Sequence, residues 1–210
     1  MKRNTHQVAY GPEEFRLEMG VSADDLLRLE EFVRLLVRWQ ERINLVSRNS
    51  LSDVWRRHIL DSAQLLRHAP SGARRWADLG SGAGFPGLVT AILGVQDQHL
   101  VESDTRKHAF LVEAARVTEA RVTLHRARIE DLPALSADVV TARAVAPLVK
   151  LLPYAIRHGR GNHTCLLPKG RNVAIELREA AISWSLSYQC FPSLSEPKAR
   201  VLAIESAQLR

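Results

Sequence analysis

Cysteine is scarce in this chain. Of 210 residues only Cys165 and Cys190 are cysteine, and both stand in apolar, strand-like stretches, Cys165-Leu166-Leu167 and Cys190-Phe191. That pattern predicts two buried free thiols and excludes a disulfide framework; no metal site is expected. Long apolar runs are missing as well. No stretch of 18 apolar residues occurs, so no membrane span is expected. The opening Met1-Lys2-Arg3-Asn4-Thr5-His6 has no apolar segment after its basic pair, which argues against a secretory signal and for a cytoplasmic location. Internal repeats and low-complexity segments are absent too. Lysine is rare: five, against 24 Arg, in a chain of net charge +6 and pI about 9.8. Arg contacts phosphate bidentately and stacks on bases, so the bias suits a nucleic-acid partner. A genome rich in Arg codons explains it equally well, and composition leaves both open.

What is present is enough apolar residue, 46%, for one ordinary core. Residues 1 to about 20 are polar and read as poorly ordered. Ser22 with Asp25 resembles a helix cap, and Leu29, Phe32, Leu36, Trp39 and Ile43 follow at helical spacing. Arg34, Arg38 and Arg42 share another face; Glu30 is placed to pair with Arg34, so this face is either solvated or RNA-facing. A second helix is predicted from about Leu51 to His68. Pro70-Ser71-Gly72 then marks a boundary between an N-terminal helical segment, 1–72, and a cofactor domain, 73–210.

Beyond it, strand signals at Trp76–Leu79, Leu100–Glu102, Val122–His125, Val139–Ala142 and Cys165–Leu167 alternate with helical runs at Pro86–Leu93, Lys107–Thr118, Leu148–Ile156 and Ala174–Ser185. This predicts an α/β, Rossmann-like fold with a mostly parallel sheet and helices on both faces. Tyr188–Phe191 and Val201–Ile204 have no helix between them and predict an antiparallel hairpin ending the sheet.

Between the first strand and first helix of that domain lies Asp78-Leu79-Gly80-Ser81-Gly82-Ala83-Gly84-Phe85-Pro86-Gly87. Glycines admit a ligand close to the backbone, and Pro86 suits a first helical position. Gly82-x-Gly84-x-x-Gly87 with Glu102 twenty residues on matches a dinucleotide fingerprint, so an NAD-type oxidoreductase stays open. Counted from Gly80, however, the third glycine position is Phe85, whose ring would obstruct helix–strand packing. Asp78, two residues before the loop, suits a cationic amino group better than a diphosphate. Glu102 is placed to accept both ribose hydroxyls. These features favour S-adenosylmethionine. After the third strand, a backbone N–H at Ile129 or Glu130 is positioned for an adenine edge; a plain turn reads equally well.

Arg57-His58-Ile59-Leu60-Asp61-Ser62, the glycine loop, Val101-Glu102-Ser103, Phe110-Leu111, Arg128-Ile129-Glu130, Ala142-Arg143-Ala144-Val145-Ala146 and Pro168-Lys169-Gly170 occur in this order. The combination resembles the RsmG (GidB) family of bacterial small-subunit rRNA methyltransferases over about residues 20–170. The resemblance implies a class I S-adenosylmethionine-dependent methyltransferase acting on N7 of one guanine in 16S rRNA, free or in the small ribosomal subunit. It implies cofactor contacts at Gly80, Phe85, Ile129, Glu130 and Arg143, to which the loop reading adds Asp78, Ser81, Gly82, Gly84 and Glu102. A monomer is expected. A non-catalytic ribosome-assembly protein that keeps the fold is the reading from another class; only turnover separates it.

Guanine N7 carries a lone pair and no proton, so no general base is expected, only positioning. Arg commonly reads guanine through O6 and N7 together, which here would block the nucleophile. Arg143 is therefore expected to frame cofactor and base, with Lys169, Arg106, Lys107 and Arg128 holding RNA backbone. Phe85 is expected as an exposed loop aromatic that stacks on cofactor or base. His58 and Asp61, three apart on one helical face, are expected to tie the helical segment to the loop by hydrogen bonds rather than to bind a metal. No function is placed on the tail beyond Asn172.

Overall fold

The computed structural model describes residues 10–210; the reading of Met1–His6 falls outside them. Gly11 opens α1 (Pro12–Met19), where its N–H donates to the Glu14 carboxylate at 3.0 Å; Gly20, at φ 66°, closes it. The expectation of little order up to residue 20 is thus corrected for 12–19. Its signals were Pro at the first helical position, early acids and a left-handed glycine after the last turn. Helix α2 (Ala23–Gln40) starts where the cap was read: Ser22 Oγ accepts from Asp25 N at 3.1 Å. Its buried stripe is Leu26, Leu29, Phe32, Leu35 and Leu36. Arg34 pairs with Glu31 at 2.7 Å and not with Glu30.

The single helix read for 51–68 is several pieces: α3 (Arg48–Leu51), a π-helical turn (Trp55–Leu60), α4 (Asp61–Ala63) and a 3-10 turn (Gln64–His68). The π turn adds a residue per turn and re-aims the side chains that follow, a geometry hydrophobic periodicity does not report.

Seven strands follow: β1 (Arg75–Leu79), β2 (Asp97–Val101), β3 (Val122–His125), β4 (Ala137–Thr141), β5 (Gly159–Lys169), β6 (Trp184–Pro192) and β7 (Arg200–Leu209). Helices α5 (Gly87–Ile92), α6 (Thr105–Val117), α7 (Leu148–His158) and α8 (Val173–Ser183) intervene. The order is β3-β2-β1-β4-β5-β7-β6, parallel from β3 through β5 and antiparallel beyond. The Rossmann-like sheet and its terminal hairpin stand as expected, with β7 seated between β5 and β6. Pro86 precedes α5 as its cap residue instead of opening it.

Alternation along β1 divides the core. Ala77 and Leu79 pack with Leu151, Leu152 and Ala180 on the α7–α8 face. Trp76 faces the other way and packs with Leu65, Val139, Leu166 and Val201, while α1, α2, α5 and α6 form a further cluster. That cluster joins Phe15, Leu29 and Phe32 of the N-terminal helices to Leu88, Leu100 and Phe110. Arg28 reinforces the junction, donating to the carbonyls of Thr118 at 2.6 Å and Ile92 at 3.2 Å. Cys165 is buried, but Cys190 is exposed because β6 is the outer strand with one face in solvent, which corrects the reading of two buried thiols. Among the described residues no helix is long and apolar enough to cross a membrane.

Phe32 lies fully buried with its ring 5.2 Å from that of Phe85 and 6.2 Å from Phe110. Phe32→Ala should cost about 3–5 kcal/mol in urea unfolding, whereas Leu27→Ala on the exposed side of α2 should stay within about 0.5 kcal/mol of wild type.

Candidate functional site

The strand order reverses between β1 and β4, and ligands in such sheets bind at the carboxyl ends there. The glycine loop leaves the end of β1. Gly80, Gly82 and Gly84 have φ of 74°, 56° and 86°, backbone that other residues adopt only under strain. Gly80 N and Ser81 N both donate to Val101 O at 2.9 Å, fixing the loop to the end of β2. A Cβ on Gly80 would lie 2.7 Å from Val145 Cγ2, so the loop after β4 closes over it. A Cβ on Gly87 would meet Leu100 and come within 2.7 Å of Asp78 Cβ. Gly87 is therefore the glycine that permits close helix–strand packing, and Phe85 does not obstruct it.

Asp78 is fully buried. Its Oδ1 accepts from Thr141 Oγ1 at 2.8 Å and its Oδ2 from Gly87 N at 3.2 Å. Burial pushes its carboxyl up to about 6. The carboxylate expected to meet a ligand's amino group is instead spent on holding the loop and the end of β4. Glu102 also serves the loop: Oε2 accepts from Gly82 N at 2.9 Å and Oε1 from Asp104 N at 2.7 Å. Each of its oxygens keeps a second lone pair, the donor-accepting set that two ribose hydroxyls require. The backbone concavity over Gly82, where a Cβ would meet only Gly80 O at 3.9 Å, adds the open approach a ligand needs. These features fit a nucleoside-bearing cofactor.

Ile129 and Glu130 form a short turn (Ile129–Asp131) after β3. Two α7 side chains fix its backbone: His158 Nε2 bonds Ile129 O at 3.0 Å and Arg157 donates to Glu130 O at 2.6 Å. The Glu130 side chain is paired with Arg128 at 3.2 Å, both well exposed.

Arg143, just past β4, is gripped from the helical segment. Its NH1 donates to Arg57 O at 3.1 Å and Asp61 Oδ2 at 3.2 Å; its NH2 donates to His58 Nδ1 at 2.7 Å. Arginine has only donors, so His58 Nδ1 accepts and the ring proton sits on Nε2, which donates to Ser50 Oγ at 2.9 Å. Burial first, then the charges of Arg143 and Arg57, hold His58 neutral down to about pH 3. The hydrogen bonds of His58 and Asp61 thus join the helical segment to the loop after β4 and not, as expected, to the glycine loop, which His58 meets by stacking on Phe85.

Phe85 is buried, 3% exposed, and not the exposed aromatic expected. Its ring stacks on His58 at 4.8 Å, lies beneath Arg143 at 5.0 Å and packs on Phe32. The reason is tertiary: Phe32 of α2 and His58 cover the ring that follows the left-handed Gly84. Any ligand contact at Phe85 then runs through its backbone.

Lys169 is also not the free rim cation expected. It is 9% exposed and bonded to Glu176 at 2.7 Å. Arg106 and Lys107, by contrast, line a hollow of about 200 Å³ together with Arg42 and Arg48 and the acids Glu41 and Asp104. Arg128 stands apart from them, outside that hollow.

A cleft of about 810 Å³ opens beside Arg143, bounded by His58, Asp61, Val145, Lys169, Glu176 and Ser195. Two of these come from the tail that sequence reasoning left without function. Ser195, between β6 and β7, donates to Asp61 Oδ1 at 2.7 Å from 134 positions away. No local motif marks such a residue.

The family model described as rRNA small subunit methyltransferase G (GidB) matches residues 25–201. A protein of Paramagnetospirillum magneticum named ribosomal RNA small subunit methyltransferase G is 53% identical, covering 91% of this chain and 94% of that one. A protein of the same name from Rhodospirillum rubrum is 50% identical over 92% and 96%. Solved structures share the fold at low identity. A SAM-dependent methyltransferase from Aquifex aeolicus superposes with TM-score 0.56 at 14% identity, covering 75% of this chain and 96% of its own. A cofactor-bound protein from MTB gives 0.62 at 13%, over 93% and 97%.

His58 generates a pH prediction. Its usual value is 6.5 and its folded value about 3, so between them the unfolded chain holds more protons. Its contribution is therefore complete above about pH 6.5 and shrinks as the pH falls toward 3. Asp78 acts oppositely between 3.8 and about 6, where the folded chain holds the extra proton. The difference between wild type and His58→Asn isolates the first effect: in urea unfolding, the wild type's advantage should narrow by about 2 kcal/mol from pH 7 to pH 5.

Proposed function

Because the chain belongs to the rRNA small subunit methyltransferase G (GidB) family, we propose that it transfers a methyl group from S-adenosylmethionine to N7 of one guanine in 16S rRNA. Family membership across residues 25–201 disfavours the oxidoreductase reading. The observation that supports the proposal within the molecule is the Gly82–Glu102 bond: a carboxylate with lone pairs to spare lies directly against an open glycine loop.

In this reading Glu102 accepts the ribose hydroxyls. The backbone of Gly80, Ser81, Gly82, Gly84 and Phe85 cradles the methionyl portion, and the turn at Ile129 and Glu130 faces the adenine. Asp78 acts through the loop it fixes. S-adenosylmethionine, when bound, supplies a methyl on a positively charged sulfur. Guanine N7 offers an in-plane lone pair and no proton, so the side chains have no proton to remove; they align and exclude water. Arg143, held by three bonds to the helical segment and lying over Phe85 of the glycine loop, lines the 810 Å³ cleft and frames both reactants. Arg106, Lys107 and Arg128 contact RNA phosphates. The enzyme works as a cytoplasmic monomer on the small subunit or its RNA.

The direct test uses tritiated S-adenosylmethionine and small subunits from a strain lacking this protein. Label should map to one guanine and yield 7-methylguanine; no label, or label at another atom, defeats the proposal. The absence of a general base has its own consequence. Since His58 stays neutral far below neutrality, single-turnover rates at saturating RNA and cofactor should be flat from about pH 7 to 9. A sigmoidal rise in that range, removed by any one substitution in the cleft, would reveal a titrating group in the chemistry.

A further inference from the structure

Lys169 ends β5 and Glu176 lies in the first turn of α8, and both face the cleft beside Arg143. Glu176 Oε2 accepts twice, from Lys169 Nζ at 2.7 Å and from Leu148 N at 2.9 Å. Among the described residues Oε1 has no hydrogen-bond partner. A bond to Leu148 N explains a carboxylate or amide here as a brace for α7. It does not explain a lysine 9% exposed beside it, since enclosing an ion pair costs desolvation that offsets much of its attraction. The pair presents the cleft with a cationic donor and a carboxylate acceptor side by side, held by a strand end and a helix start. Guanine has the complementary edge: O6 accepts, while N1–H and the N2 amino group donate. Adenine offers the reverse, a donor at position 6 and an acceptor at N1. The cleft volume lies within the range of nucleotide-sized ligand sites.

We propose that Lys169 and Glu176 form the guanine-reading wall of the acceptor site, Lys169 donating to O6 and Glu176 accepting from N1–H and the N2 amino group. This rests on the guanine-N7 reading above and deepens it. Because recognition runs along the N1 side of the base, N7 keeps its lone pair for the methyl. A lysine beside guanine is able to bridge O6 and N7; here Lys169 is bonded to Glu176, whose place is against N1–H, so Lys169 meets O6 from the N1 side. The assignment moves Lys169 from the RNA backbone to the base itself.

The test compares small subunits carrying guanine or inosine at the mapped nucleotide; inosine lacks only the N2 amino group and keeps N7, O6 and N1–H. The enzymes are wild type, Glu176→Gln, which retains an acceptor for Leu148 N, and Lys169→Met. Wild type should lose roughly 10- to 100-fold in kcat/KM on inosine, the worth of a hydrogen bond to a charged group. Glu176→Gln should be slow on guanine and lose no more than about twofold further on inosine. Lys169→Met should slow both substrates equally. Calorimetry should give all three the same affinity for S-adenosylmethionine, which sets aside a collapsed site. Glu176→Gln with the wild-type guanine-to-inosine ratio overturns the assignment while leaving the methyltransferase reading intact. Wild type that marks no guanine N7 overturns both.

Discussion

One buried carboxylate holds the site's framework together. Asp78 lies at the end of β1, out of contact with water, and its two oxygens tie the start of α5 and the end of β4 to the same point. Without those bonds the carboxylate would be an uncompensated group in a protein interior, a costly state. Satisfied, it fixes the span of the glycine loop, because Gly80 and Gly87 are anchored at opposite ends of one short path. Glu102 then sets the middle of the loop through Gly82, and Asp104 extends the same chain of bonds to the start of α6, where it caps Arg106 N and Lys107 N. Two acids, Asp78 on one amide and one hydroxyl and Glu102 on two amides, shape the concavity from below.

The N-terminal helices complete the site from the other side. Through Arg57, His58 and Asp61 they hold a guanidinium that belongs to the sheet's own loop, and Phe85 beneath it is packed by Phe32 of α2. Helices, glycine loop and β4 loop therefore share one aromatic and one cation. A sequence boundary at 70–72 is a real turn in the chain, yet the apolar cluster around Phe32 runs across it.

The sheet was legible because its strands are short apolar runs separated by helical periodicity, and β3 lies at the residues read for it, Val122–His125. The rim positions were legible because glycines and acids at strand ends have few other uses. Side-chain direction was not. Phe85 and Lys169 stand in exposed-looking loop contexts, and only tertiary partners, α2 for one and Glu176 for the other, turn them inward. Asp78 is expected at a ligand because sequence shows a carboxylate but not the Gly87 amide and Thr141 hydroxyl already bonded to it. Ser195 and Glu176 were invisible, since their roles depend on neighbours brought close only by the fold.

The place of β7 between β5 and β6 has a bearing on biosynthesis. The strand that bridges parallel and antiparallel halves is the last of the seven to be translated. Until it emerges, β6 has no partner in the sheet, and the Ser193–Ser195 turn has no reason to meet Gln64 and Asp61. The wall of the cleft is thus assembled after the loop and the helices that form its floor. A nascent chain short of Arg200 carries the glycine loop, Glu102 and Arg143 but not the strand on which β6 and the Ser195 side of the cleft are seated.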